Sequence, residues 1–64
     1  MLFPEPAVVA ELRELAMLGD INELEERVQA LDQVDERLRP FVGRMRQFLH
    51  DYQLERLSEW LEPQ

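Results

Sequence analysis

The chain has 64 residues, 14 acidic side chains against 7 basic ones for a net charge of −7, and no cysteine. Disulfides and thiolate metal sites are therefore excluded as supports, and the acidic balance argues against phosphate backbones and anionic membranes as partners. A chain this short buries only about 60% of the surface its unfolded form exposes, which leaves well-packed helices and association as its routes to stability.

Met1 to Pro6 reads as a lead-in to the first helix. Pro4 and Pro6 forbid a regular helix before them and suit a first helical turn. Phe3 is an apolar residue just outside that helix, either a staple folding back onto it or a hook onto a neighbouring domain. The start Met1-Leu2-Phe3-Pro4 lacks the basic region and long apolar core of a signal peptide. No apolar run approaches the roughly 20 residues needed to span a bilayer. The expected location is the cytoplasm.

The spacing predicts a first helix over residues 5–18, with Val8, Leu12 and Leu15 in one stripe widened by Val9 and Ala16. Gly19 can take the left-handed conformation that closes a helix. Asp20 then offers its carboxylate to the next turn, and Glu23 three residues on completes a capping box. A second helix over 21–33 carries Ile21, Leu24, Val28 and Leu31 as a packing seam, with Glu23 and Arg27 four apart in the favourable orientation. Two helices joined by so short a turn lie roughly antiparallel, with their stripes facing each other.

Asp35 is the natural cap after this helix. Pro40 conflicts with a helix running straight through from Glu36, because it would remove a backbone hydrogen bond beyond the first turn. A short turn over 35–38 followed by a third helix over 39–50 resolves the conflict. The final segment holds two stripes: Phe41, Met45, Phe48 and Tyr52, then Leu54, Leu57 and Leu61. On one continuous helix they would lie on nearly opposite faces, so a break near Asp51-Tyr52-Gln53 and a fourth helix over 53–62, ended by Pro63, are expected. A continuous helix would instead leave Leu54, Leu57, Trp60 and Leu61 as an interface. The fold class is all-α: a single domain over 1–64, a small three- or four-helix bundle of antiparallel αα-hairpins.

Chemistry is sparse. Ser58 is the single serine, threonine is absent, and His50 is the single histidine, not at the i+3 or i+4 spacing from Ser58 that would put the two groups together. Gly19 and Gly43 form no phosphate loop. Glu55, Glu59 and Glu62 share a helical face without a histidine or cysteine, so they read as a solvated face rather than a metal site. The chain is expected to be non-catalytic, with no cofactor, no metal and no small-molecule substrate. A phosphotransfer role for His50 is the alternative from another class, but Asp51 beside it would repel a phosphoryl group. A histidine at the C-terminal end of a helix is also favoured by the helix dipole.

Phe41, Phe48 and Tyr52 read as core, and Met17 and Met45 as gap fillers. The candidate interface comprises Phe3, Met17, Leu54, Leu57, Trp60 and Leu61, with Trp60 as a possible anchor at the edge of the last stripe.

The order of these pieces resembles a known arrangement. Leu15-Ala16-Met17-Leu18-Gly19-Asp20-Ile21, then Leu31-Asp32-Gln33-Val34-Asp35 and Pro40-Phe41, are similar to the C-terminal helical module of bacterial hybrid sensor histidine kinases. There an "LAxxGDI" turn is followed by an "LDxxDxxxxPF" stretch and a terminal pair of amphipathic helices. The resemblance implies a non-catalytic docking or self-association module of a two-component sensor kinase. It brings no assigned catalytic residues. Arg56 and acidic residues stand in the last helix where lysines are frequent in such modules. The partner would be another protein domain or a second copy of the chain. A docking domain joining subunits of a multienzyme assembly line, such as a polyketide synthase, would use the same physics.

Overall fold

Backbone chemistry at four short links explains how this chain folds; the computed structural model describes residues 1–62. Glu5 is extended (φ −55°, ψ 148°) and Pro6 opens α1 (Pro6–Leu18). Proline at this position gives up an N–H that has no intrahelical partner anyway. Gly19 closes α1 in the left-handed region (φ 75°). The Asp20 N–H donates to the Leu15 carbonyl at 3.0 Å and the Gly19 N–H to Ala16 at 3.1 Å. This pair of bonds satisfies carbonyls that a bare helix end leaves open.

Asp20 begins α2 (Ile21–Val34) by accepting the Glu23 N–H on Oδ1 at 3.2 Å. The reciprocal half of the expected capping box is not made. The Asp20 N–H is already engaged by Leu15, and the Glu23 carboxylate accepts from Arg27 Nε at 3.0 Å instead. Asp35 then caps a single 3₁₀ turn, Glu36–Leu38, through Arg37 N–H at 3.0 Å. That turn leads directly into α3 (Arg39–His50), with Pro40 in its first turn. The conflict at Pro40 is thus resolved in favour of a short turn before the helix.

The last link repeats the turn at Gly19 with a different residue. Tyr52 takes φ 55°, the single positive φ outside glycine among the described residues. The Gln53 N–H donates to Phe48 at 2.9 Å and the Tyr52 N–H to Leu49 at 3.2 Å. This is the same bonding that Gly19 makes. The chain reverses and α4 (Leu54–Trp60) follows. α4 is shorter than the expected 53–62, and Pro63 lies outside the described residues.

α1 packs on α2 and α4, and α3 packs on the same two neighbours. Glu11 meets Arg27 across the first hairpin, and Asp32 near the end of α2 meets Arg39 at the start of α3. Neighbouring helices therefore run antiparallel, as two αα-hairpins in one bundle. The core takes Leu12 and Ala16 from α1, Leu24 and Val28 from α2, and Leu57 and Leu61 from the last segment. α3 contributes Phe41, Val42, Met45, Phe48 and Leu49, and Leu38 is buried ahead of it. The expected stripes point inward except at Ile21, which is half-buried at the start of α2 and outside the core cluster, and at Tyr52. Expected in the core, Tyr52 is 73% exposed, because its left-handed backbone swings the side chain off the α3 stripe.

The arginines tie helices together at the surface. Arg27 Nη1 donates to Glu11 Oε2 at 2.7 Å while its Nε holds Glu23, so one guanidinium bridges α1 and α2. Asp32 lies 3.9 Å from both Arg39 and Arg46. Arg37 grips Asp35 with two bonds, 3.1 Å and 2.9 Å. The Arg37 side chain, then its backbone N–H, holds the Asp35 carboxyl below the usual carboxylate range. Surface pairs of this kind contribute modestly to stability and fix geometry more than they supply energy.

Two substitutions test the links and a third tests the interior of α3. An added Cβ at Gly19 meets nothing within 4 Å, so Gly19→Ala should cost about 1 kcal/mol from backbone conformation alone. Tyr52→Gly should stabilise by several tenths to about 1 kcal/mol, relieving the left-handed residue against the added freedom of the unfolded chain. Gly43, inside α3 with equally open space, should gain about 0.5–1 kcal/mol as alanine. Urea unfolding followed by circular dichroism reads all three. A lowered carboxyl pKa gives stability that is complete above the unfolded value and lost as pH falls through the folded one. The stability gap between the native chain and Asp35→Asn should therefore stay constant at neutral pH and close below about pH 4.

Candidate interaction surface

Phe3 folds back rather than reaching away. Because Pro4 and Pro6 keep residues 1–5 out of α1, the extended lead-in carries Phe3 over the open end of the bundle. Its ring centroid lies 5.0 Å from Phe41 and 5.0 Å from Trp60. Trp60 stacks on Phe41 at 5.3 Å and an interplanar angle of 21°, and touches Phe48 at 5.5 Å. Tilted and offset aromatic contacts at these separations add to what burial alone supplies. Phe3 remains 39% exposed, so it seals the aromatic cluster and also presents a free edge.

That edge heads a groove of about 560 Å³ along the outer side of α1. Val9 and Leu61 form its floor, Pro6 and Ala10 its long wall, and Met17 its far end. Pro6, Ala10 and Met17 share one helical face by their spacing. Arg13 and Glu14 are the polar side chains in it. Met17 also borders a second hollow of about 480 Å³ with Leu18 and Leu54, edged by Glu55 and Ser58. With Met17 67% and Leu18 73% exposed, apolar side chains line both hollows from Phe3 to Leu54, joined at Met17. Single exposed apolar residues are ordinary, whereas a contiguous patch marks a binding surface.

The other faces differ. The cleft between α3 and α4, about 480 Å³, is lined by Arg44, Arg56, Asp51 and Glu59 with Gln47 and Gln53, over Phe48 and Trp60. Its two cations and two carboxylates balance, so it has no net pull on a charged ligand. Val34, 80% exposed, stands alone at the end of α2. His50 is exposed at the end of α3 beside Glu25 and Arg46, with Asp51 next in the chain. The Ser58 hydroxyl donates to the Glu55 carbonyl at 2.8 Å, a local helix bond. Among the described residues no three His, Asp or Glu side chains gather as they would around a metal ion. No helix among them is long and apolar enough to cross a membrane.

Of the six residues proposed for an interface, Phe3 and Met17 lie at the two ends of the groove and Leu54 is half-buried in the adjoining hollow. Leu57 and Leu61 do not belong to it as surface residues. They are 0% and 1% exposed, because the turn at Tyr52 rotates their stripe into the core. Trp60 is half-buried under Phe3, and its remaining edge opens on the polar cleft. Pro6, Ala10 and Leu18 complete the surface without any sequence signal of their own. Arg13 is drawn toward the end of the last helical segment, with Nη2 3.9 Å from Glu62 and Nε buried without an acceptor.

Set against known protein families, curated proteins and solved structures, the chain finds no match in any of the three.

The aromatic cluster supplies a stability test. Trp60→Ala should destabilise by about 2 kcal/mol, below the range for a fully buried aromatic because Trp60 is half-buried, and Phe3→Ala by about 1 kcal/mol given its partial burial. The double variant should lose less than the two together, with a coupling of about 0.5–1.5 kcal/mol. Additive losses in urea unfolding would dissociate Phe3 from the cluster.

Proposed function

We propose that this chain is a non-catalytic protein–protein interaction module, a docking domain that receives another protein through the outer face of α1. One observation carries the reading. Eleven side chains from four helices already form a closed core, yet apolar surface from Phe3 through Met17 to Leu54 stays uncovered. The outward faces of the other helices do not share this character. α2 presents Glu25, Glu26 and Gln29, α3 presents Arg44 and Gln47, and α4 presents Glu55, Arg56 and Glu59. Apolar side chains held at a surface by an independent core cost the free protein and reward whatever covers them.

The setting we propose is a bacterial two-component sensor kinase, with the module acting in the cytoplasm. The residues that carry this resemblance have structural duties here. Gly19 and Asp20 make the first reversal, Asp35 caps the turn before α3, and Pro40 opens that helix. They support a shared scaffold, on which the docking face is this chain's own.

Met17 stands where the groove and the second hollow meet, and its side chain is exposed enough to be replaced without disturbing the core. Met17→Asp should leave the unfolding curve within about 0.5 kcal/mol of the native one. It should weaken binding to the kinase and receiver domains of the same signalling system by at least about tenfold, a loss of about 1.4 kcal/mol, measured by titration calorimetry. Equal binding by both proteins, or no binding by either, would overturn the proposal.

A further inference from the structure

We infer that the α1 groove takes an amphipathic helix whose apolar stripe is flanked by lysine or arginine, and not a second copy of this chain. The inference rests on the docking reading above and adds the chemistry of the occupant.

Shape selects a helix. The groove follows α1 from Pro6 to Met17, about three turns or roughly 16 Å at 1.5 Å per residue. Among the described residues the chain forms no strand, so an extended peptide would find no sheet edge to pair with. Its backbone N–H and C=O groups would be laid on apolar surface without partners, at a cost a helix avoids by bonding internally. Pro6 and Ala10 are small, so the trough has room for large side chains spaced at i, i+3 or i+4, and i+7 on the incoming helix. A polyproline ligand needs a groove walled by aromatic rings, and Phe3 is the single ring here.

Charge selects its flanks. Five of the seven arginines have carboxylate partners among the described residues. Glu14 and Glu55 have none, and they stand along the side and beyond the far end of the apolar surface. Arg13 is the one cation in the groove, and it leans toward Glu62 on the α4 side. Counted over the groove and the adjoining hollow, Glu14 and Glu55 outnumber Arg13, so the rim carries net negative charge. A symmetric pair of chains would bring these same glutamates together across the interface, with a net charge of −7 on each copy, and like charges so placed disfavour association. A stable interface also takes about 800 Å² from each partner, a large share of a molecule whose whole surface is 4656 Å². The rim glutamates could not be kept out of it.

The test is a selection from a displayed library of helical peptides, about four turns long and randomised at all outward positions, against the intact chain. The expected winners carry apolar residues at i, i+4 and i+7 with lysine or arginine beside them. A winner resynthesised with glutamate for each flanking cation should bind at least about tenfold more weakly. The double variant Glu14→Lys, Glu55→Lys, shown by its melting curve to be folded, should reverse that preference. Sedimentation of the chain alone should give a monomer. Winners that need Met17 but show no preference for basic flanks would overturn this inference and leave the docking reading standing. A dimer that Met17→Asp dissociates would do the same, by naming a second copy as the occupant. The absence of any winner sensitive to Met17→Asp would remove both.

Discussion

Everything in this molecule depends on two reversals of chain direction made within a residue or two. Each helix carries one apolar stripe, and none can bury it alone. A stripe is buried only if the next helix returns beside it, which requires the helix end to be closed and redirected at once. A left-handed residue does both, because it turns the chain while its N–H and that of the following residue return to the last carbonyls. Gly19 and Tyr52 perform this step with the same pair of hydrogen bonds. The second reversal matters more for the core. Without it Phe41 and Phe48 would face one way and Leu57 and Leu61 the other, and half of the large side chains would stay wet.

The charge distribution follows from the same economy of size. With no disulfide and a core of about a dozen side chains, lateral alignment of the hairpins falls to the surface. Arg27 bridges α1 and α2, and Arg39 and Arg46 converge on Asp32 between α2 and α3. A guanidinium suits this duty because its planar donors reach two carboxylates without being moved, which fits a chain whose seven basic residues are all arginine. Using the cations this way leaves most of the acidic excess without partners, and two of those carboxylates, Glu14 and Glu55, border the apolar surface on α1.

Legibility tracked how directly each residue type announces its backbone. Gly19 followed by Asp20 states a helix end and a helix start in adjacent letters, and the structure matches both. Asp35 and Pro40 together place the third helix to the residue. The turn at Tyr52 was legible only through the clash between two stripes, because tyrosine carries no preference for the left-handed region. For the same reason its own side chain was assigned to the core, and Leu57 and Leu61 to a possible interface, when the turn sends each the other way. Val42 and Leu49 escaped a one-stripe reading because α3 is covered by both neighbours and buries a face two residues wide. The groove was legible at its ends, Phe3 and Met17, where large apolar letters stand outside the stripes. It was silent along its length, since an exposed proline or alanine looks the same in sequence whether it faces water or a partner.

That silence has a physical meaning. A docking surface built from large side chains would expose much apolar area in the free protein and invite it to aggregate. Here the large exposed groups, Phe3, Met17 and Leu18, are confined to the ends, and Pro6, Ala10 and the half-buried Val9 form a trough rather than a ridge between them. The large groups that fill it must then come from the partner, so the affinity is stored in two halves that are each tolerable alone. Met17 fits this division as a long apolar side chain at the rim, flexible enough to adapt to what enters. Phe3 fits it at the other end, where the same ring that walls the groove also locks the aromatic cluster. Anything that presses on Phe3 is felt by Phe41 and Trp60, so the free lead-in of the chain, the candidate interface and the core are mechanically one unit.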